Sequence, residues 1–199
     1  MKVIGITGPT GAGKTTALHA LRDLGAEVVD ADAVYHELLR ENAELKAALV
    51  AAFGPGILDG EGQVDRKALA GAVYPDRISE LNGITHPFVV AEVGRRVEAA
   101  RKAGKPAAAI DAIALMESGL GEGCDVVVSV LAPLDVRIRR IMARDGIDRD
   151  YARRRALAQK GEDFFRSHSD YVLENGEGDT PEAFGARAKA LFQKILTET

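Results

Sequence analysis

The sequence predicts an α/β fold with a five-stranded parallel β-sheet, and three observations support this prediction. Short apolar segments alternate along the chain with segments whose apolar residues follow helical spacing. Glycine, proline or charged residues bound the first four of these short segments, as expected for buried strands. Polar residues that could take part in chemistry follow the predicted strands at their carboxyl ends, where an open parallel sheet binds its ligands. The predicted strands are 2–7, 26–30, 107–111, 125–131 and 170–173.

The segment directly after the first predicted strand is Gly8-Pro-Thr-Gly-Ala-Gly-Lys-Thr15, which fits the phosphate-binding pattern G-x-x-x-x-G-K-[ST]. A helix predicted from residue 15 to 24 completes the strand–loop–helix context of this motif. Glycines let successive backbone N–H groups face a phosphate, and the helix N-terminus adds partial positive charge. We therefore expect a three-layer fold like that of the P-loop nucleoside-triphosphate hydrolases. The residues expected to bind ATP are Gly11, Ala12, Gly13, Lys14, Thr15 and Thr16.

Two side chains of this loop have more specific predicted roles. Lys14 can reach the β- and γ-phosphates, and the Thr15 hydroxyl can ligate Mg²⁺. Asp111 ends an apolar strand and could help to hold the same ion through water, although strands often end in aspartate for other reasons. A nucleotide with a phosphate tail and a Mg²⁺ ion are therefore the ligands that these residues predict.

Asp30 and Asp32 follow the second predicted strand and have two interpretations. One of them, most simply Asp32, could cap the helix that follows. Alternatively, Asp32 could act as a general base that accepts the proton of an attacking hydroxyl near the γ-phosphate. The residues by themselves leave both interpretations open.

Arginines are concentrated on two helices predicted near 133–143 and 148–160. We expect most of them to lie on solvated faces in charge pairs. One or two could instead stabilise the charge of the transferred phosphoryl group, on a helix pair that closes over it. These arginines are Arg137, Arg139, Arg140, Arg144, Arg149, Arg153, Arg154 and Arg155.

The segment 33–105 is too long for a simple crossover and predicts several helices. The last of these, near 87–103, is predicted to begin at Thr85-His86-Pro87 with proline at its first position. We expect a P-loop nucleotide-binding core formed by 1–32 and 105–199, with a lid at about 144–168. Residues 33–104 are expected to form a helical acceptor-binding subdomain.

Composition excludes several classes of function. The net charge of −4 and the scarcity of aromatic residues argue against a nucleic-acid partner. The apolar runs are too short to span a bilayer, so we expect no membrane partner. Cys124 is the single cysteine, which excludes an internal disulfide and fits a cytoplasmic location. No N-K-x-D segment for guanine recognition is present, so a small phosphotransferase is the enzyme class that fits.

An ordered series of segments resembles the dephospho-coenzyme A kinase family over nearly the whole chain. The most telling are Val29-Asp30-Ala31-Asp32 and Ile84-Thr85-His86-Pro87, since other small kinases lack this pairing. The remaining matching segments are Ile4-Gly-Ile-Thr-Gly8 with Gly13-Lys14-Thr15-Thr16, Leu24-Gly25, Phe53-Gly54 with Ile57-Leu58-Asp59, Val64-Asp65-Arg66, Met142-Ala143-Arg144-Asp145-Gly146, and Asp170-Tyr171-Val172-Leu173 with Asn175.

This resemblance implies ATP-dependent phosphorylation of the ribose 3′-hydroxyl of dephospho-coenzyme A, the last step of coenzyme A biosynthesis. It implies that Asp32 is the catalytic base and that Lys14 is also catalytic. Arg140 and Arg144 would be lid-side phosphate contacts, with Arg140 in the catalytic set. His86 and Glu117 would join Asp32 in binding the acceptor. The expected partner is this small molecule, and the protein is expected to be a monomer or a weak homo-oligomer.

The chain departs from the family pattern at two places. After the third predicted strand the family usually has Asp-x-Pro-Leu-Leu-x-Glu, whereas here Ile113 replaces the proline and Ala114 a leucine. The family often has lysine at the position of Phe165. Two other functions therefore remain as alternatives: a different small-metabolite or nucleoside kinase, and a nucleotide-binding regulator that transfers no phosphate.

Overall fold

The computed structural model describes residues 1–198, and the chain forms two compact units. The first, which we call the sheet unit, consists of Met1–Val29 and residues 97–198. The second, the helical unit, is Asp30–Arg96. The carboxylates of Asp30 and Asp32 therefore belong to the helical unit, whereas the P-loop belongs to the sheet unit.

The sheet has five strands, which are β1 (Lys2–Thr7), β2 (Glu27–Asp30), β3 (Ala107–Asp111), β4 (Val126–Leu131) and β5 (Tyr171–Glu174). Their order in the sheet is β2-β3-β1-β4-β5. β1 pairs in parallel with β3 and β4, and β4 pairs in parallel with β5. The central strand, β1, consists mainly of apolar residues, because helices cover a parallel sheet on both faces. The predicted five-stranded α/β fold is confirmed.

Five of the described helices lie wholly in the sheet unit with these strands. The first and last pack on each other and on the sheet through a core that includes Leu21, Phe184 and Phe192, all fully buried. Thr180 caps the last helix, because its hydroxyl accepts the Ala183 N–H at 3.2 Å. The helices are α1 (Lys14–Asp23), α6 (Leu134–Asp145), α7 (Arg149–Leu157), α8 (Glu162–Ser167) and α9 (Pro181–Thr197).

The helical unit has its own apolar core, formed by residues that include Leu39, Leu45, Leu49 and Leu69. Side chains of Asp30, Asn42 and Asp65 cap three of its helices. Within residues 1–198, no helix combines the length and the apolar character needed to cross a membrane. The helices are α2 (Ala31–Glu41), α3 (Ala43–Phe53), α4 (Arg66–Val73) and α5 (Ile78–Lys102), of which α5 continues into the sheet unit.

The prediction that Pro87 begins a helix is wrong, because Pro87 lies inside the 25-residue helix α5. A proline within a helix costs about 3 kcal/mol. Thr85, Val89 and Val93 are nevertheless buried at a spacing of four residues, which continues the buried stripe through the proline. Burial of a valine contributes about 1.5–3 kcal/mol, so the stripe outweighs the penalty. Pro87 itself is on the exposed side of the helix.

Candidate active site

The P-loop, residues 8–15, connects β1 to α1. At two of its positions only glycine fits, because the backbone has positive φ and because a Cβ atom would clash with neighbouring atoms. Gly8 has φ 132° and Gly13 has φ 107°, values that L side chains rarely adopt. A Cβ atom on Gly8 would lie 2.2 Å from the Val130 carbonyl oxygen. One on Gly13 would lie 2.2 Å from the amide nitrogen of Asn175. The loop can thus pack closely against β4 and the segment after β5 only because the motif has glycine at these two positions.

The loop is folded on itself and leads directly into a helix N-terminus. The Ala12 N–H donates to the Pro9 carbonyl at 3.1 Å, and the Lys14 ammonium donates to the Gly8 carbonyl at 3.0 Å. Gly13 occupies the N-cap of α1 and supplies no side-chain cap. Since the first amides of a helix lack partners within the helix, this end of α1 suits an anion. Thr15 is exposed in the same first turn.

A cleft of about 350 Å³ lies beside the loop. Three of its side chains, Lys14, Arg140 and Arg144, carry positive charge, whereas Asp111 is acidic. This balance suits a polyphosphate, because several cations can neutralise its oxygens. The residues that line the cleft are Pro9, Thr10, Gly11, Gly13, Lys14, Thr15, Asp111, Ile113, Arg140, Ile141 and Arg144.

Thr15 and Asp111 bring two oxygen donors to this cleft. Asp111 ends β3 and is paired in register with Ile6 of β1, next to the start of the loop. Magnesium prefers oxygen ligands and usually takes one or two from the protein, with phosphates and water completing its shell. No group of three or more potential ligands among His, Cys, Asp and Glu occurs within residues 1–198. A hydroxyl and one carboxylate therefore fit a magnesium ion that is shared with a nucleotide.

Arg140, on α6, supports the loop from one side. One of its terminal nitrogens donates to the carbonyls of Gly11 and Ala12, each at 3.3 Å, and the other donates to the Asn175 side chain at 3.0 Å. Asn175 is buried and donates in turn to the Ala12 carbonyl at 2.8 Å. Burial lowers the pKa of Arg140 from its ordinary value. The loop is thus fastened by a guanidinium that also borders the cleft.

Arg137 and Gln159 support the tip of the loop. Arg137 is 8% exposed and donates through Nε to the Thr10 carbonyl at 3.0 Å. The Gln159 amide oxygen accepts the Thr10 N–H at 2.8 Å, and its nitrogen donates to the Thr10 hydroxyl at 3.0 Å. Sequence reasoning included Arg137 only in the general set of arginines of which one or two could stabilise the phosphoryl group, and it did not name Gln159 as a site residue. The available signal was spacing, because Arg137, Arg140 and Arg144 lie three and four residues apart and so share one face of α6.

Most other arginines of this region lie in exposed ion pairs, as the sequence predicts. Arg139 pairs with Glu177 at 2.6 Å, and Arg149 pairs with Asp135 at 2.9 Å. Arg144 and Arg155 both pair with Asp145, at 2.7 and 2.6 Å. The hydrogen bond from Arg144, reinforced by Arg155, lowers the pKa of Asp145 to about 2.

The structure decides which aspartate caps α2. The Asp30 carboxylate accepts the Ala33 N–H at 3.0 Å, so Asp30 is the cap and the interpretation of Asp32 as the cap is wrong. The strand ends at Asp30 and the helix begins at Ala31, which places Asp32 in the first helical turn. Its side chain is exposed.

The two remaining predicted acceptor residues have different settings. His86 is half-buried on α5, in the helical unit. Glu117 is exposed in the turn that follows β3, in the sheet unit, and is absent from the lining of the cleft. Neither setting by itself assigns a ligand.

Ile113 and Phe165, which mark the two departures from the family pattern, lie in different settings. The Ile113 carbonyl accepts the Thr7 hydroxyl at 3.1 Å, which ties the turn after β3 to the end of β1. Phe165 is 2% exposed, and its carbonyl accepts hydrogen bonds from Ser129 and Ser169. Phe165 is thus a core residue of the sheet unit, and its side chain is not placed to bind phosphate.

Comparison with known proteins shows that the chain is similar to dephospho-CoA kinases. A family model for dephospho-CoA kinase matches residues 2–180. The dephospho-CoA kinase of Corynebacterium diphtheriae is 33% identical over 201 residues, which cover 100% of this chain and 99% of that protein.

Two solved structures resemble the fold over almost its full length. A crystal structure from Thermus thermophilus superposes with a TM-score of 0.78 at 33% identity, covering 99% of this chain and 98% of that one. The dephospho-CoA kinase from Campylobacter jejuni gives a TM-score of 0.71 at 25% identity, with coverages of 97% and 96%.

Proposed function

This chain belongs to the dephospho-CoA kinase family, and from that membership we propose that it transfers the γ-phosphoryl group of ATP to dephospho-coenzyme A. The acceptor is the ribose 3′-hydroxyl, and the products are coenzyme A and ADP. A bond forms between the 3′-oxygen and the γ-phosphorus, while the bond from that phosphorus to the β,γ-bridging oxygen breaks. The observation that carries the proposal is the family match over residues 2–180, which includes the complete P-loop.

The sheet unit would supply the phosphate side of the reaction. Phosphoryl transfer depends mainly on positioning and on charges that neutralise the transferred group. The loop amides and Lys14 would bind the β- and γ-phosphates. Arg140 and Arg144, which line the same cleft, would face the charge that develops on the equatorial oxygens. Residues 11–16 are the proposed ATP-binding segment.

Thr15 and Asp111 would hold Mg²⁺, because both residues line the cleft and carry oxygen ligands. When bound, this ion neutralises phosphate charge and orients the chain of phosphates. Thr15 would do so through its hydroxyl and Asp111 through its carboxylate, directly or through water.

The helical unit would supply the base. The Asp32 carboxylate is the proposed acceptor for the proton of the 3′-hydroxyl. Since Asp30 caps α2, the exposed Asp32 side chain is not needed for that structural role. We assign acceptor binding to His86 and Glu117 together with Asp32, on the basis of the family resemblance. Residues 33–104 are accordingly the proposed acceptor-binding subdomain, Glu117 of the sheet unit is an additional proposed acceptor contact, and the segment at about 144–168 is the proposed lid.

A coupled assay of ADP release tests the function. We expect ADP to form with dephospho-coenzyme A and to remain at background without it. Dephospho-coenzyme A that carries hydrogen in place of the 3′-hydroxyl is the matched control and should give no turnover. Faster turnover with shikimate, gluconate or a nucleoside would instead identify another small-metabolite kinase. ATP binding without transfer to any acceptor would identify a regulator.

Asp32→Asn tests the base. Loss of a general base lowers the rate by about 10²–10⁴-fold, and we expect kcat to fall within this range while ATP affinity stays nearly unchanged. Asp76→Asn, which removes an exposed carboxylate from a turn of the same unit, is the control. Near-normal turnover of the Asp32 variant would remove this residue from its proposed role.

A further inference from the structure

The tip of the P-loop is held by a group of three side chains that we call the tip latch: Thr10, Arg137 and Gln159. Thr10 is in the loop, Arg137 is on α6, and Gln159 follows the end of α7. All three belong to the sheet unit. The latch therefore links the nucleotide loop to the segment that follows α7.

Thr10 and Gln159 pair reciprocally, which fixes both side chains. The Thr10 N–H donates to the Gln159 amide oxygen, and the Gln159 amide nitrogen donates to the Thr10 hydroxyl. The two bonds, at 2.8 and 3.0 Å, assign both ends of the Gln159 amide. Because both atoms of the amide are used, an apolar side chain at position 159 would leave a donor and a hydroxyl of the loop without these partners.

Arg137 completes the latch by connecting it to α7. One terminal nitrogen of Arg137 donates to the Gln159 amide oxygen and to the Ala156 carbonyl, both at 3.2 Å. Ala156 lies in α7 one residue before its end. The guanidinium thus contacts the loop tip and the C-terminal end of α7 at the same time.

The latch fixes the direction of a specific peptide group. The Thr10 carbonyl accepts a hydrogen bond from Arg137 Nε at 3.0 Å. In a trans peptide the N–H of the next residue points opposite to that carbonyl, so the Gly11 N–H is directed away from the guanidinium. Gly11 lines the cleft, and its backbone amide belongs to the proposed ATP-binding segment. Pro9, which precedes Thr10, has no N–H with which to hold the tip of the loop.

We propose that Gln159 and Arg137 are positioning residues that hold the Thr10–Gly11 peptide ready for the nucleotide phosphates and couple ATP binding to the order of residues 157–160. This inference rests on the proposed function, because it assumes that the cleft binds ATP. Coupling between two sites is reciprocal. ATP bound at the loop therefore stabilises the segment after α7, and loss of the latch weakens ATP binding.

Calorimetric titration with ATP, in the absence of any acceptor, tests the proposal independently of the phosphorylation reaction. We expect Gln159→Leu to weaken ATP binding about tenfold, the effect of losing up to two neutral hydrogen bonds. Gln159→Glu keeps an oxygen for the Thr10 N–H and can accept from the Thr10 hydroxyl, so it should stay within about threefold of the wild type. Gln193→Leu, an exposed glutamine on α9, is the matched control and should bind ATP normally.

Steady-state kinetics separate positioning from general damage. The KM for ATP of Gln159→Leu should rise while the KM for dephospho-coenzyme A stays unchanged, whereas partial unfolding would lower kcat and move neither KM.

If Gln159→Leu does not fold, Thr10→Val removes only the hydroxyl partner and should weaken ATP binding by a smaller factor. Unchanged ATP affinity in Gln159→Leu or, if that variant does not fold, in Thr10→Val would overturn the proposal. Equal losses in Gln159→Glu and Gln159→Leu would do the same.

Hydrogen exchange tests the coupling. In the wild type, ATP should slow amide exchange at residues 157–160, and in Gln159→Leu at saturating ATP this protection should be lost. Equal protection in both proteins would show that the latch does not connect the two regions.

Discussion

Arginines occupy two contrasting environments in this protein, although they are close neighbours in the sequence. Arg137, which is buried, and Arg140, which is half-buried, direct their guanidinium groups to backbone carbonyls of the P-loop. Arg139 and Arg149 form ion pairs with carboxylates on the surface. The side chains of these surface pairs are 51–76% exposed.

The difference shows that arginine can either support the phosphate loop by hydrogen bonds or form a weak ion pair on the surface. A charged donor shielded from water makes hydrogen bonds that contribute about 1.5–3 kcal/mol, and its removal leaves carbonyls without partners. An exposed ion pair contributes about 0–1 kcal/mol because water and salt screen it. Position on the face of α6, rather than charge, therefore decides which arginine matters for the site.

The largest difference should come from Arg140 and Arg139, which are adjacent. Arg140→Met removes a donor that supports the loop and borders the cleft, and we expect kcat/KM for ATP to fall by about 10²–10³-fold, as for other preorganised donors. Arg139→Met removes an exposed partner of Glu177 and should change this value less than about twofold. Equal kinetic effects of the two variants would abolish the distinction between the two sets of arginines.

The next effect concerns stability. Arg137→Met should lower the free energy of unfolding by about 2–3 kcal/mol, since the Thr10 and Ala156 carbonyls lose a charged donor. Urea unfolding measures this change through the midpoint. An unshifted midpoint would mean that Arg137 is no more important to the fold than a surface arginine.

A smaller, pH-dependent effect should come from Asp145. Its pKa is lowered from 3.8 to about 2, first by the hydrogen bond from Arg144 and then by that from Arg155. A lowered pKa in the folded protein stabilises it above the ordinary pKa, and this contribution is lost as the pH falls toward 2. We expect the urea midpoints of the wild type and Asp145→Asn to differ at pH 6 and to converge as the pH falls from 4 toward 2. A difference that stays constant with pH would contradict the ion-pair explanation.

The smallest effect should come from Arg149→Ala. This change removes an exposed pair with Asp135, and we expect the free energy of unfolding to change by less than about 0.5 kcal/mol. Raising the salt concentration to 1 M should remove even this difference. A loss as large as that of Arg137→Met would show that the surface pairs also support the fold.

The phosphate loop and the sheet could be predicted because their determinants are local. β1 and β3 have the predicted bounds, 2–7 and 107–111, since a buried parallel strand is a short apolar run between polar or turn residues. The positive φ values of Gly8 and Gly13 likewise require glycine at fixed positions of the motif.

The helix boundaries around Pro87 and the cap of α2 were harder to predict from the sequence. Pro87 reads locally as a helix start, but burial of Thr85, Val89 and Val93 carries α5 through it. The choice between Asp30 and Asp32 as the cap depends on the single residue at which β2 ends. Both outcomes depend on how the surrounding core is packed, which the local pattern does not contain.

By itself, the sequence determined that this protein has a parallel α/β sheet with a phosphate loop after its first strand, because glycine conformation and apolar runs are encoded locally. The sequence also indicated the family, through matching segments spread over the chain. Only the tertiary structure decided which side chains hold that loop. Arg137, Asn175 and Gln159 come from distant segments, and hydrogen bonds between them and the loop exist only once α6, α7 and β5 have packed around it.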